Sequence, residues 1–119
     1  MDEPEQHWTK LLGTLDAILE GRTGLTEGCR EVLRIGEDLR ADSRMLDPFR
    51  GFEAVTRGFP LGDARKMWSA KSLEKKDSER AKTEDQYRDW ILQAARQLHA
   101  HAKVQSGQGG PEAAVRKSQ

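Results

Sequence analysis

The chain has 119 residues, 20 basic and 20 acidic side chains, a formal net charge of zero, and 35% hydrophobic against 34% charged residues. That length fits one domain, and the charge balance excludes the dominant basic field by which proteins capture nucleic acid. The single cysteine, Cys29, excludes an internal disulfide, and no run approaches the ~18 apolar residues of a membrane span.

The opening MDEPEQHW is acidic and has no apolar run. It predicts no secretory leader, hence a soluble cytoplasmic protein that does not engage a membrane. In residues 5–20, Trp8, Leu11, Leu12, Leu15, Ile18 and Leu19 recur at helical spacing and predict one amphipathic helix. Gly21 is its natural stop. A second helix is predicted to start with Thr23 or Thr26 as N-cap and to run to about residue 40. Its stripe is Leu25, Cys29, Val32, Leu33, Gly36 and Leu39. Gly28 and Gly36 are poor helix formers, so close approach of neighbouring helices is expected there. The short link predicts an antiparallel hairpin. Cys29, on the stripe, is expected to be a small buried hydrophobe.

Residues 40–46 read as a polar loop. Asp47-Pro48 then reads as an N-cap followed by proline at the first helical position. Phe49, Phe52 and Val55 follow, with Phe59 beyond, so a short helix holding all three phenylalanines is expected. Gly58-Phe59-Pro60-Leu61-Gly62 breaks it. One further helical turn is expected over 63–68. Ser69 should cap a last helix running to residue 103, roughly 50 Å long. Tyr87, Ile91, Ala94, Ala95 and Leu98 form its packing face, with Trp90 alongside. The three tryptophans, Trp8, Trp68 and Trp90, are expected as core or core-edge anchors. The domain is assigned to 1–105, and 106–119, rich in glycine, serine and glutamine, to a disordered tail. The expected fold is all-α, with four main helices.

The first half of the last helix is unusual. Its inward stripe, Leu73, Asp77, Arg80, Glu84 and Tyr87, is charged where leucine is normal. Three arrangements are compatible with it. The half-helix overhangs the bundle, solvated and supported by Glu84–Arg88 and Glu79–Lys82 pairs. Or the row lines a groove against the phenylalanine helix and pairs with Arg57 or Arg65, fixing register. Or it is a recognition face for another macromolecule or a second copy of the chain. Asp77, Arg80, Glu84 and Arg65 are the candidate binding residues.

Two stretches carry a resemblance: Leu25-Thr26-Glu27-Gly28-Cys29, and the run of Lys75, Asp77, Arg80 and Glu84 ahead of Ala-Ala-Arg-Gln-Leu. Over residues 11–98 the chain resembles a family of small bacterial all-helical proteins catalogued as a domain of unknown function. The resemblance implies an all-α bacterial protein and transfers no catalytic residues. Residues 56–59 depart from it, where relatives carry acidic residues or histidine, so a polar site of the family at that turn is not expected here.

For catalysis, Arg96 and His101 resemble the arginine-x4-histidine signature of helical ribonucleases, with arginine clamping phosphate and histidine moving a proton. Five residues apart on a helix, however, the two point about 140° apart. Cations near a helix C-terminus also favour the dipole without any catalytic role. His99 and His101 point to nearly opposite sides, so no metal pair arises. Gly107-Gln108-Gly109-Gly110 follows no strand and opens no helix, so it is not a phosphate loop. No cofactor is implied. The sequence favours a non-catalytic protein-binding module, concretely an immunity protein or antitoxin that neutralises a toxin; net neutrality tells against it, since a nuclease inhibitor is expected to be strongly acidic. The alternatives are the ribonuclease and a self-associating structural protein. The expected partner is another protein, such as a toxin, or a second copy, rather than nucleic acid.

Overall fold

A computed structural model describes residues 3–41 and 43–107. Four α-helices follow in order: α1, Glu3–Leu19; α2, Leu25–Asp38; α3, Ser43–Thr56; and α4, Ala70–Gln105. A 3-10 helix, Gly62–Met67, precedes α4. Among the described residues there is no strand.

The periodic apolar sets build one core. Leu11, Leu15, Cys29, Val32, Phe49, Phe52, Ile91, Ala95 and Leu98 have no exposed surface. Each large side chain among them contributes about 1.5–3 kcal/mol by leaving water. The second half of α4 rests on α1 and α3, while α4 meets α2 only narrowly. α4 is continuous over 36 residues, and the molecule is 59 Å along its longest axis. Ser69 caps α4 as expected, its hydroxyl accepting from the Ser72 N–H at 3.1 Å.

α1 ends at Gly21, which adopts φ 73°. The Gly21 N–H donates to the Ile18 carbonyl and the Arg22 N–H to that of Ala17, closing the helix with paired terminal carbonyls. α2 ends the same way, but through Arg40 at φ 54°, with Ala41 N–H donating to Gly36 and Arg40 N–H to Glu37. Only glycine enters that region without strain. The two interior glycines of α2 sit where neighbours press in. A Cβ on Gly28 would lie 2.5 Å from Cγ1 of Ile18, and one on Gly36 would lie 2.8 Å from Cδ2 of Leu46.

Several expectations are corrected. The N-cap of α2 is Gly24, and Thr26 is the second helical residue. Residues 43–46 are helical, not loop, and Pro48 lies inside α3. Burial of Leu46 against Gly36, with 1% of its surface exposed, offsets the hydrogen bond that proline cannot make. α3 carries two phenylalanines, because it ends at Thr56 and Phe59 falls in the following turn. Its inward row is Phe49, Phe52 and Thr56, while Val55 is 46% exposed. Of the tryptophans, Trp8 lies at the core edge, while Trp68 and Trp90 are 37% and 47% exposed. The proposed tail begins with a cap: Ser106 is buried, and its hydroxyl donates to the Lys103 carbonyl. Residues 108–119 lie outside the described residues.

Gly28→Ala should lower stability by about 1–2 kcal/mol, because the branched stem of Ile18 cannot swing away. Gly36→Ala should be near neutral, since the end of the Leu46 side chain can yield and alanine favours helix by about 1 kcal/mol. Arg40→Gly should raise stability by about 1 kcal/mol through relief of the left-handed strain. Urea denaturation of the three variants measures all three outcomes.

Candidate functional site: a charged groove between α4 and the start of α2

The four charged residues singled out from sequence come together. Arg65, Asp77, Arg80 and Glu84 line one surface groove of about 390 Å³, with Glu27, Leu61, Gly62 and Ala81. α4 places Asp77, Arg80 and Glu84 on one side through helical spacing. The 3-10 helix brings Arg65 over them, and the first turn of α2 supplies Glu27.

Glu84 organises the groove. Its Oε2 accepts from the Thr26 backbone N–H at 3.2 Å and from the Thr26 hydroxyl at 2.7 Å. The first turn of a helix has backbone N–H groups with no intrahelical acceptor. Gly24, the N-cap of α2, has no side chain to accept them. A carboxylate 58 residues away fills that role, and its charge suits the positive end of the helix dipole.

Arg80 braces the carboxylate. Its Nε donates to Glu84 Oε2 at 3.1 Å, and its terminal nitrogen donates to Glu27 Oε1. The side chains of Arg80 and Glu84 are only 17% and 16% exposed, so this ion pair is weakly screened. Arg65 grips Asp77 with two parallel bonds of 2.8 and 2.9 Å, and also donates to the Pro60 carbonyl at 3.4 Å. The planar fork of arginine matches a carboxylate in this way. Asp77 is held below the usual carboxylate range by its hydrogen bonds from Arg65. For Glu27, burial pushes the carboxyl upward, but the hydrogen bond and charge of Arg80 outweigh it and the net direction is down.

The row is thus matched within its own chain rather than solvated as an overhang. Arg57 does not join it, but pairs with Glu53 one turn back. The expected Glu84–Arg88 and Glu79–Lys82 pairs are replaced as well: Arg88 pairs with Asp85, and Glu79 lies 3.6 Å from Lys76. With Glu84 committed to α2, Arg88 turns to the local i,i+3 partner Asp85.

Two polar links were not legible in the sequence. Arg30 of α2 donates to the Thr56 carbonyl at 2.8 Å, capping the C-terminus of α3. Asp16 of α1 and His99 of α4 meet at 2.8 Å. Each joins residues far apart in sequence, so only the assembled fold reveals it. Arg96 and His101 are not brought together. Arg96 is exposed, and His101 packs edge-on against Trp8 with ring centroids 5.7 Å apart. Cys29 is buried, and burial, aided by the charge of Glu84, pushes its thiol up to about 12. That makes it a packing group. Among the described residues no group of three or more histidine, cysteine and carboxylate side chains could hold a metal ion, and no helix is long and apolar enough to cross a membrane.

These features define a small all-helical domain in which the start of α2 and the end of α3 are capped from other helices. The family described as "Protein of unknown function (DUF2489)" matches residues 12–98, and the chain belongs to that family. The comparisons with curated proteins and with solved structures give no match.

Glu84→Ala should destabilise the fold by about 2–3 kcal/mol, because it removes a charged acceptor from a buried N–H and hydroxyl. Thr26→Val should lose about 1 kcal/mol, and the double variant should lose less than the two losses added. Acid should act through Glu27 and Asp77. Both titrate lower when folded than unfolded, so their contribution is full above the ordinary carboxylate range and is lost as pH falls through their depressed values. The melting temperature should therefore drop below about pH 4, and Asp77→Asn should flatten that acid limb in a pH series of thermal melts.

Proposed function

We propose that this protein is a non-catalytic protein-binding module whose docking centre is the face around Trp90 and Val55, with the charged row serving to assemble it. One observation carries this reading. Trp90 and Val55 are 47% and 46% exposed on rigid, adjacent helices. Exposed tryptophan on a fixed scaffold is the residue type that dominates binding energy at protein interfaces. Gly51 and Val55 on α3, and Gln86, Trp90 and Gln93 on α4, are exposed, with exposed Lys82 and Asp89 beside them on α4. An aromatic centre with a polar and charged rim is the composition of a protein interface.

The narrower version, an immunity protein or antitoxin neutralising a toxin, was motivated by an exposed charged row. Asp77, Arg80 and Glu84 are engaged by Arg65, Glu27 and Thr26, so a toxin would have to be met by the Trp90 face instead. The ribonuclease alternative gains no support from Arg96 and His101, which stand in different surroundings.

A photo-crosslinking side chain at position 55, expressed in the native host, should form a covalent adduct with protein. The same group at position 75, about 22 Å further back along α4 from Trp90, should not. No adduct from position 55 would remove the reading.

A further inference from the structure

Almost nothing apolar holds the 3-10 helix to the bundle. Across Gly62–Trp68 every residue is exposed except Arg65, which is partly covered. Met67 is 87% exposed, no residue of the 3-10 helix is buried, and no helix packs broadly against it. Its polar groups turn inward on the segment itself. Ala64 N–H donates to the Leu61 carbonyl, Trp68 N–H donates to that of Arg65, and Lys66 pairs with Asp63. Six residues of 3-10 helix exceed the roughly three or four that its poorer hydrogen bonds usually sustain. A segment with so little apolar burial belongs to the low-stability end of a fold.

The two ends are fixed, by contrast. Pro60 is buried, and Phe59 N–H donates to the Thr56 carbonyl at 3.1 Å. At the other end Ser69 caps α4. Between these anchors, among the described residues, one side chain is hydrogen-bonded to the bundle. Arg65 grips Asp77 at 2.8 and 2.9 Å. Gly62, at φ 55° and with nothing within 4 Å of where a Cβ would stand, is a natural hinge.

We infer that residues 62–68 form a strap that opens and closes independently of the helical bundle, with the Arg65–Asp77 fork as its latch. The inference stands apart from the protein-binding reading. No core residue comes from the strap, so opening leaves the core intact. Gly62 and Arg65 form one wall of the charged groove. Opening removes that wall and bares the Asp77 carboxylate, while Glu84 stays on Thr26 and Arg80 on Glu27. The latch is light. The Arg65 and Asp77 side chains are 35% and 45% exposed, and ion pairs so accessible are screened by salt and shift an equilibrium by at most about fivefold. Ionic strength therefore sets how often the groove is open.

Amide hydrogen exchange of the full chain, read by mass spectrometry, tests this. Amides of residues 62–68 should exchange at least about a hundredfold faster than those of Leu11, Leu15, Ile91 and Ala95, because local opening uncovers none of the core. Low urea should speed the core amides and leave the strap amides unchanged, since opening the strap exposes little new surface. Asp77→Ala and Arg65→Gln should each speed the strap amides about three- to fivefold. Sodium chloride at about 1 M should do the same to the unaltered chain and add nothing in either variant. Strap and core amides exchanging together, with one urea dependence, would overturn the strap. Strap exchange indifferent to both substitutions would overturn the latch.

Discussion

The carboxylate of Glu84 against the first turn of α2 is the contact on which the arrangement of this protein depends. A helix that begins on glycine has no side chain at its N-cap, and its first N–H groups still need acceptors. Glu84 supplies one acceptor to both the N–H and the hydroxyl of Thr26. That fixes the axial position of α4 against α2, two helices that otherwise touch narrowly. Arg80 follows one turn earlier and reaches Glu27, and Asp77, another turn back, secures Arg65 and with it the 3-10 helix. One turn further along α2, Arg30 closes α3. The start of α2 and the end of α3 are thus finished by side chains from other helices, whereas α1 and α4 carry their own caps.

A charged row therefore stands where leucine is normal because the surface it faces is not apolar. It faces a helix N-terminus and an irregular segment, both with backbone groups to satisfy. Leucines there would leave the Thr26 N–H without an acceptor, a loss comparable to the hydrophobic gain. Desolvation of Arg80 and Glu84 offsets much of their attraction, so the network contributes more to register than to net stability. Stability comes from the core beneath it, where Phe49, Phe52, Leu11 and Ile91 are sealed from water.

Committing the charged row to assembly leaves it closed against its own chain rather than open to solvent. The side chains that gave the sequence its most conspicuous pattern are turned toward the protein itself. The surface left open and rigid is the less conspicuous one, in which an indole lies over a glycine between two helices. The groups with reactive side chains are also placed structurally. Cys29 is packed, His101 lies against Trp8, and His99 meets Asp16.

The amino-acid pattern alone determined the all-helical class, the stop at Gly21, the cap at Ser69, the buried Cys29 and the crowding at Gly28 and Gly36. These are local properties: a 3.6-residue period, a cap within one turn, a missing Cβ on an apolar stripe. It also singled out Arg65, Asp77, Arg80 and Glu84, because charge on an inward stripe contradicts the period. It did not reveal that Thr26 is capped rather than capping, since its acceptor lies 58 residues away. Nor did it reveal that α3 starts before Pro48, because burial of Leu46 outweighs a local rule, or that Val55 and Trp90 face outward. Local preference sets which segments coil; only the fully packed chain decides which face each coil turns inward, because burial and helix-end capping are satisfied by residues distant in sequence.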